Sequence, residues 1–245
     1  MPMTATLLAP VKGIKPQILN KICEKRTFSA YYWDGSGPLV VCLHGFPDTP
    51  NTFHLMVPAL VNAGYRVLVP IMPGYEASSV DVHGRYYVTD LAQDVVDWVD
   101  HMGEESVHLI GHDWGAVTAW LAAAMYPHRF FSMTSIAIPP LKRFGEALMR
   151  CPSQVLKSWY MGFFQIPLLP EQILLAKDGA FVRLLWRNWS PGWNAPEELI
   201  RPVLDTLGDK RVRAAALAYY RCLGRVFSAQ HQKGRRALKL PYQVP

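Results

Sequence analysis

The chain has 245 residues, 50% hydrophobic and 18% charged, which allows a sizeable core and argues against disorder. Its formal net charge is +6, but the basic residues between Lys210 and Lys239 alternate with apolar positions, as on the wet face of a helix. With no long like-charge block, nucleic acid is not an expected partner. The four cysteines, Cys23, Cys42, Cys151 and Cys222, form no C-x-x-C pair, so neither a metal site nor a redox motif is expected.

Residues 1–18 carry three prolines and little periodicity, and they read as an arm. Lys12 and Lys15 follow its short apolar piece, so no signal peptide is expected. No apolar run reaches the roughly 18 residues of a membrane span, and a reducing cytoplasm is the expected compartment. Phe28–Trp33 reads as a strand, stopped by Asp34-Gly35-Ser36-Gly37-Pro38. Leu39–Leu43 is a continuous apolar run, as in a parallel strand covered on both faces. A helix is expected over Phe53–Ala63 and a second buried strand over Arg66–Pro70. From Thr89, apolar Leu91, Val95, Val96, Trp98 and Val99 have helical spacing. Val107–Ile110 is the next strand, Ala116–Tyr126 an Ala-rich helix and Phe131–Ile138 a further strand.

After Pro140 the pattern changes. Residues 141–228 hold no clear buried strand, only helix-like stretches separated by Pro167, Pro170, Pro191, Pro196 and Pro202. The expected class is α/β: a mostly parallel sheet with flanking helices and a helical cap inserted after the strand at 131–138. The boundaries are 1–139 for the N-terminal part of the core, 140–228 for the cap and 229–245 for a return to the core.

Between a strand and a helix lies Gly111-His112-Asp113-Trp114-Gly115. It has the glycine spacing of the nucleophile elbow G-x-S-x-G, with Asp113 in place of serine. The plain alternative is an Asp capping the following helix. A second motif, His44-Gly45-Phe46-Pro47, follows the strand at Leu39–Leu43. A loop there supplies one oxyanion N–H and the residue after the nucleophile the other, which nominates the backbone of Phe46 and Trp114. An aspartate nucleophile suits attack on an sp³ carbon. It is already ionised, and it leaves an ester whose carbonyl water can attack, where serine would leave an ether.

These two motifs and the helical insertion resemble the epoxide hydrolases of the α/β-hydrolase fold, with haloalkane dehalogenases as close relatives. The resemblance covers roughly residues 20–245. It implies two cap tyrosines that polarise the epoxide oxygen. Tyr160, four residues before Phe164-Gln165, matches the first, and Tyr220, before Arg221, matches the second. Amphipathic core tyrosine is the plain reading of each. A dehalogenase commonly has Asn where Phe46 stands, so Phe46 favours the epoxide; Trp114 does not discriminate. His44 belongs to the loop motif, and the other histidines read as structural or surface residues.

The resemblance also implies a general-base histidine and an orienting acid, and no residue here matches either. Leu240–Pro245 reads like the lead-in to the strand before that acid. The chain is therefore expected to be C-terminally incomplete, with ester hydrolysis slowed on the order of 10²–10⁴-fold. The implied partners are a small apolar epoxide and water, with no cofactor; a homo-oligomer stays open. A dehalogenase and a non-catalytic ligand-binding protein on the same fold are the alternatives.

Overall fold

The computed structural model describes residues 10–11, 13–139, 150–223, 225 and 229–238. The stretch Leu240–Pro245, read above as the lead-in to a further strand, lies outside them. Six strands form one sheet: β1 (Gln17–Cys23), β2 (Arg26–Trp33), β3 (Leu39–Leu43), β4 (Arg66–Pro70), β5 (Val107–His112) and β6 (Phe130–Ile136). Their order is β1-β2-β4-β3-β5-β6. β2 runs antiparallel to both β1 and β4, while β3, β4, β5 and β6 are mutually parallel.

Side chains alternate across a strand. Val40 and Cys42 of β3, with Val67 and Val69 of β4, enter one core cluster with Phe53, Val57 and Val61. Leu39, Val41, Leu43 and Leu68 enter the other, with Leu91, Val95 and Val99. Both faces are covered, which is why β3 is apolar at every position. The covering helices are α1 (Met56–Asn62), α2 (Val88–His101) and α3 (Trp114–Met125).

β1 was not expected, because its residues fall partly in the arm. It is an edge strand with only one partner, and Ile18 and Ile22 are 64% and 77% exposed, so burial imposes no clean alternation. The helix expected from Phe53 begins only at Met56, because Pro50–Phe53 forms a 3-10 turn capped by Thr49. α3 starts at Trp114, two residues earlier than expected, directly after Asp113.

Beyond β6 the described residues form helices alone: α4 (Pro152–Lys157), α5 (Trp159–Phe163), α6 (Leu169–Ile173), α7 (Ala176–Trp189), α8 (Glu197–Gly208), α9 (Lys210–Leu223) and α10 (Ala229–Ala237). Apolar residues of α7, α8 and α9 join the same core cluster as Leu43 and Leu109, so the core of the sheet layer continues into these helices. The late basic residues do not all lie on a solvated face. Arg213 and Arg221 are half-buried and donate to backbone carbonyls, which corrects that expectation. Among the described residues, no helix is long and apolar enough to cross a membrane.

β3 and β5 are neighbours, but β3 continues outward to β4 and β5 outward to β6. The connections diverge between them and leave a crevice at their carboxyl ends, where α/β sheets bind ligands. The register sets Leu43 opposite Gly111, so the loop after β3 faces the turn after β5.

Candidate active site

β5 passes into α3 through Asp113, whose backbone is left-handed at φ 52°, ψ −117°. A side chain is rarely held there, and the conformation persists only where packing dictates it. The glycines around it supply that packing. A Cβ on Gly115 would lie 2.7 Å from the His44 carbonyl oxygen and closer still to that of Leu43. A Cβ on Gly45 would come within 2.6 Å of the Asp113 Cβ and 2.7 Å of the Trp114 nitrogen. Gly111 and Gly115 also press on each other. The spacing read from the sequence is thus a requirement for backbone contact between the two loops.

The contact brings the Phe46 N–H to Asp113, to whose Oδ1 it donates at 2.8 Å. The Trp114 N–H is turned toward the carboxylate without reaching bonding geometry. Asp113 keeps some accessible surface but is closely ringed by protein. Burial is the largest influence on its carboxyl and raises its pKa; the Phe46 N–H, the charge of His112 and the Trp114 N–H oppose that rise.

His44 is fully buried and anchors the loop. The Met72 N–H donates to its Nε2 at 3.0 Å, so the proton sits on Nδ1, 3.2 Å from the Gly45 carbonyl oxygen. Burial pushes its pKa down to about 3, so the ring is neutral. After the cis Phe46–Pro47 bond, the Pro47 carbonyl accepts the Trp186 indole N–H at 3.1 Å, which ties α7 to the loop.

The helices beyond β6 bring the two predicted tyrosines over this turn. Tyr220 on α9 packs edge-on against Trp114 at 5.0 Å, Phe46 at 5.3 Å and Phe164 at 4.9 Å. Its hydroxyl is buried with no hydrogen-bond partner; the Trp114 indole lies toward it without reaching bonding geometry. Tyr160 on α5 lies 6.0 Å from Tyr220, ring to ring. Burial raises the pKa of both phenols, and the Asp113 charge adds to the rise. Both therefore keep their protons at neutral pH and can donate.

Two groups here were not predicted. Tyr75 follows β4, and its buried hydroxyl also lacks a partner; its ring meets His44 at 4.9 Å and Tyr219 at 5.9 Å. Asp48 directly follows the His44–Pro47 loop. Burial pushes its pKa up to about 7 against the Thr49 N–H at 2.7 Å, and the charge of Asp113 adds to the rise. Position at the carboxyl end of a parallel strand was the available signal for both. Among the described residues, no group of three or more His, Cys, Asp or Glu could hold a metal ion.

Residues 38–165 match the family model of the alpha/beta hydrolase fold. Human epoxide hydrolase 4 is 35% identical over 156 residues, which are 63% of this chain and 43% of that protein. Epoxide hydrolase B of Mycobacterium tuberculosis is 37% identical over 150 residues, 54% of this chain and 41% of its own. The alignments thus span about two fifths of these curated relatives. The crystal structure of epoxide hydrolase A from Mycobacterium thermoresistibile covers 94% of this chain and 81% of its own, with a TM-score of 0.69 and 25% identity.

Proposed function

We propose that this chain, which belongs to the α/β-hydrolase fold family, opens a small apolar epoxide to a vicinal diol through an ester on Asp113. The observation that carries the reading is a carboxylate at a left-handed strand-to-helix turn, held by the Phe46 N–H at 2.8 Å under the unpartnered Tyr220 hydroxyl. The names of the relatives support the choice of substrate class.

In the first half-reaction the free oxygen of Asp113 attacks an epoxide carbon and the C–O bond breaks. The epoxide oxygen takes the electron pair while the Tyr160 and Tyr220 hydroxyls donate to it, and a proton from one neutralises it. Water restores that proton later. In the second, water attacks the Asp113 carbonyl. Oδ1 becomes the oxyanion on the Phe46 N–H that held it from the start, and the Trp114 N–H, already turned toward the carboxylate, joins it, so little reorganisation is needed. The ester then collapses to the diol and the free carboxylate. Residues 140–228 act as the cap over the core at 1–139, since they supply both tyrosines. No cofactor takes part, and the four unpaired cysteines suit a cytoplasmic setting.

The test is the rate of ester formation on mixing with an aryl epoxide. Tyr160→Phe and Tyr220→Phe each lower it by about 10²-fold or more, as expected for loss of a proton donor. Parental rates in both variants would refute the reading.

A further inference from the structure

We propose that Arg221 is a positioning residue: it sets the placement of Tyr160 against Tyr220, and through it the rate of epoxide opening. The proposal rests on the reading of the two tyrosines given above. Arg221 follows Tyr220 on α9, yet its side chain reaches away from that helix. Nε donates to the Phe164 carbonyl at 3.0 Å, Nη2 to the Ile166 carbonyl at 3.0 Å and Nη1 to Glu171 Oε1 at 2.6 Å. The first two acceptors lie in the stretch that leaves α5, the helix of Tyr160, and Glu171 lies on α6, the helix that follows it. Both carbonyls lie past the last residue of α5, and a backbone carbonyl withdrawn from water needs a donor, which the guanidinium supplies to each.

A reciprocal link runs the other way. Gln165 donates from its amide to the Tyr220 carbonyl at 3.0 Å and to the Met161 carbonyl at 3.1 Å. The two links flank a triangle of rings. Phe164 stands 5.7 Å from Tyr160 and 4.9 Å from Tyr220, and the two tyrosines are 6.0 Å apart. The guanidinium is a planar, rigid fork, so three bonds divided between the exit of α5 and α6 fix the angle between the elements as well as their separation. An ion pair to Glu171 alone would need only charge. A lysine could keep that charge, but its single ammonium cannot span the three acceptors. Two donors converging on one epoxide oxygen need this kind of control, because a misplacement of about 1 Å can cost about 100-fold in rate.

The experiment compares Arg221→Lys and Arg221→Met with the parent, each with 3-fluorotyrosine in place of tyrosine. Ester formation is followed in a single turnover, ester breakdown separately, and the Tyr160 and Tyr220 resonances by ¹⁹F NMR. Tyr160→Phe and Tyr220→Phe assign those resonances. Both Arg221 variants are expected to slow ester formation by about 10- to 100-fold, leave breakdown unchanged and shift both resonances. In a Tyr160→Phe background the same substitutions cost little more, because the group they misplace is gone. A parental rate in Arg221→Lys overturns the proposal, as does the full loss persisting without Tyr160. If Arg221→Met does not fold, Gln165→Leu removes only the reciprocal link; a parental rate with unshifted resonances there also overturns it. Failure of the parent to form any ester sinks the epoxide reading instead, and the resonances then judge the positioning role alone.

Discussion

The residues of the site sit where burial and backbone cost the most. Asp48 carries a directional consequence. Its folded pKa of about 7 lies well above the ordinary carboxylate value of 3.8, mainly through burial. Between those values the folded chain binds the extra proton, so its stabilising contribution is fully present below the ordinary range and lost as pH rises through about 7. Asp94 shifts the same way, so one substitution removes only part of the slope. Asp48→Asn should therefore gain more stability over the parent at pH 8 than at pH 5, by on the order of a few kcal/mol at most, since solvent reaching the half-buried carboxyl screens it. Unfolding in urea at the two pH values checks this; an equal difference at both contradicts it. The elbow and the loop were legible from the sequence because glycine spacing records a backbone requirement. Tyr75 and Asp48 carried only the weaker signal of following a parallel strand, because their burial depends on chain folded back from elsewhere.

At the scale of elements, α9 is the joint between the sheet layer and the helices beyond β6. It presents Tyr219 to the core and Tyr220 to Asp113. The Tyr219 hydroxyl donates to the Pro73 carbonyl at 2.6 Å, both groups buried, and its ring stacks on Tyr86 at 5.1 Å. Tyr219→Phe leaves that carbonyl without its partner, at a cost of about 1–3 kcal/mol. In a chain of this size each kcal/mol lowers Tm by about 2–4 °C. A thermal scan should show the fall, and an unchanged Tm would mean that the bond contributes nothing. The sequence located α9 through its tyrosine-arginine pair but read Arg221 as solvated. A basic residue between apolar neighbours looks alike whether its head meets water or carbonyls, and only the packing of α9 on the stretch after α5 decides. The buried strands were legible for the opposite reason, since β3 is apolar throughout whichever neighbours it has. β1, an edge strand with exposed Ile18 and Ile22, gave no such pattern.

In the whole molecule, two parts of the chain meet at one crevice. The sheet order places the loop after β3 beside the turn after β5, and the helices beyond β6 lower two phenols over the carboxylate between them. This carboxylate is the proposed nucleophile. The measurement that tests it most directly is the intact mass of the chain after incubation with an aryl epoxide, with the modified peptide located after digestion and Asp113→Asn as control. The expected result is a gain equal to one epoxide, located on Asp113, absent from the control, and accumulating because no histidine in this sequence matches the expected base. A chain that gains no mass and releases no diol, or one whose Asp113→Asn variant gains the same mass, would contradict it.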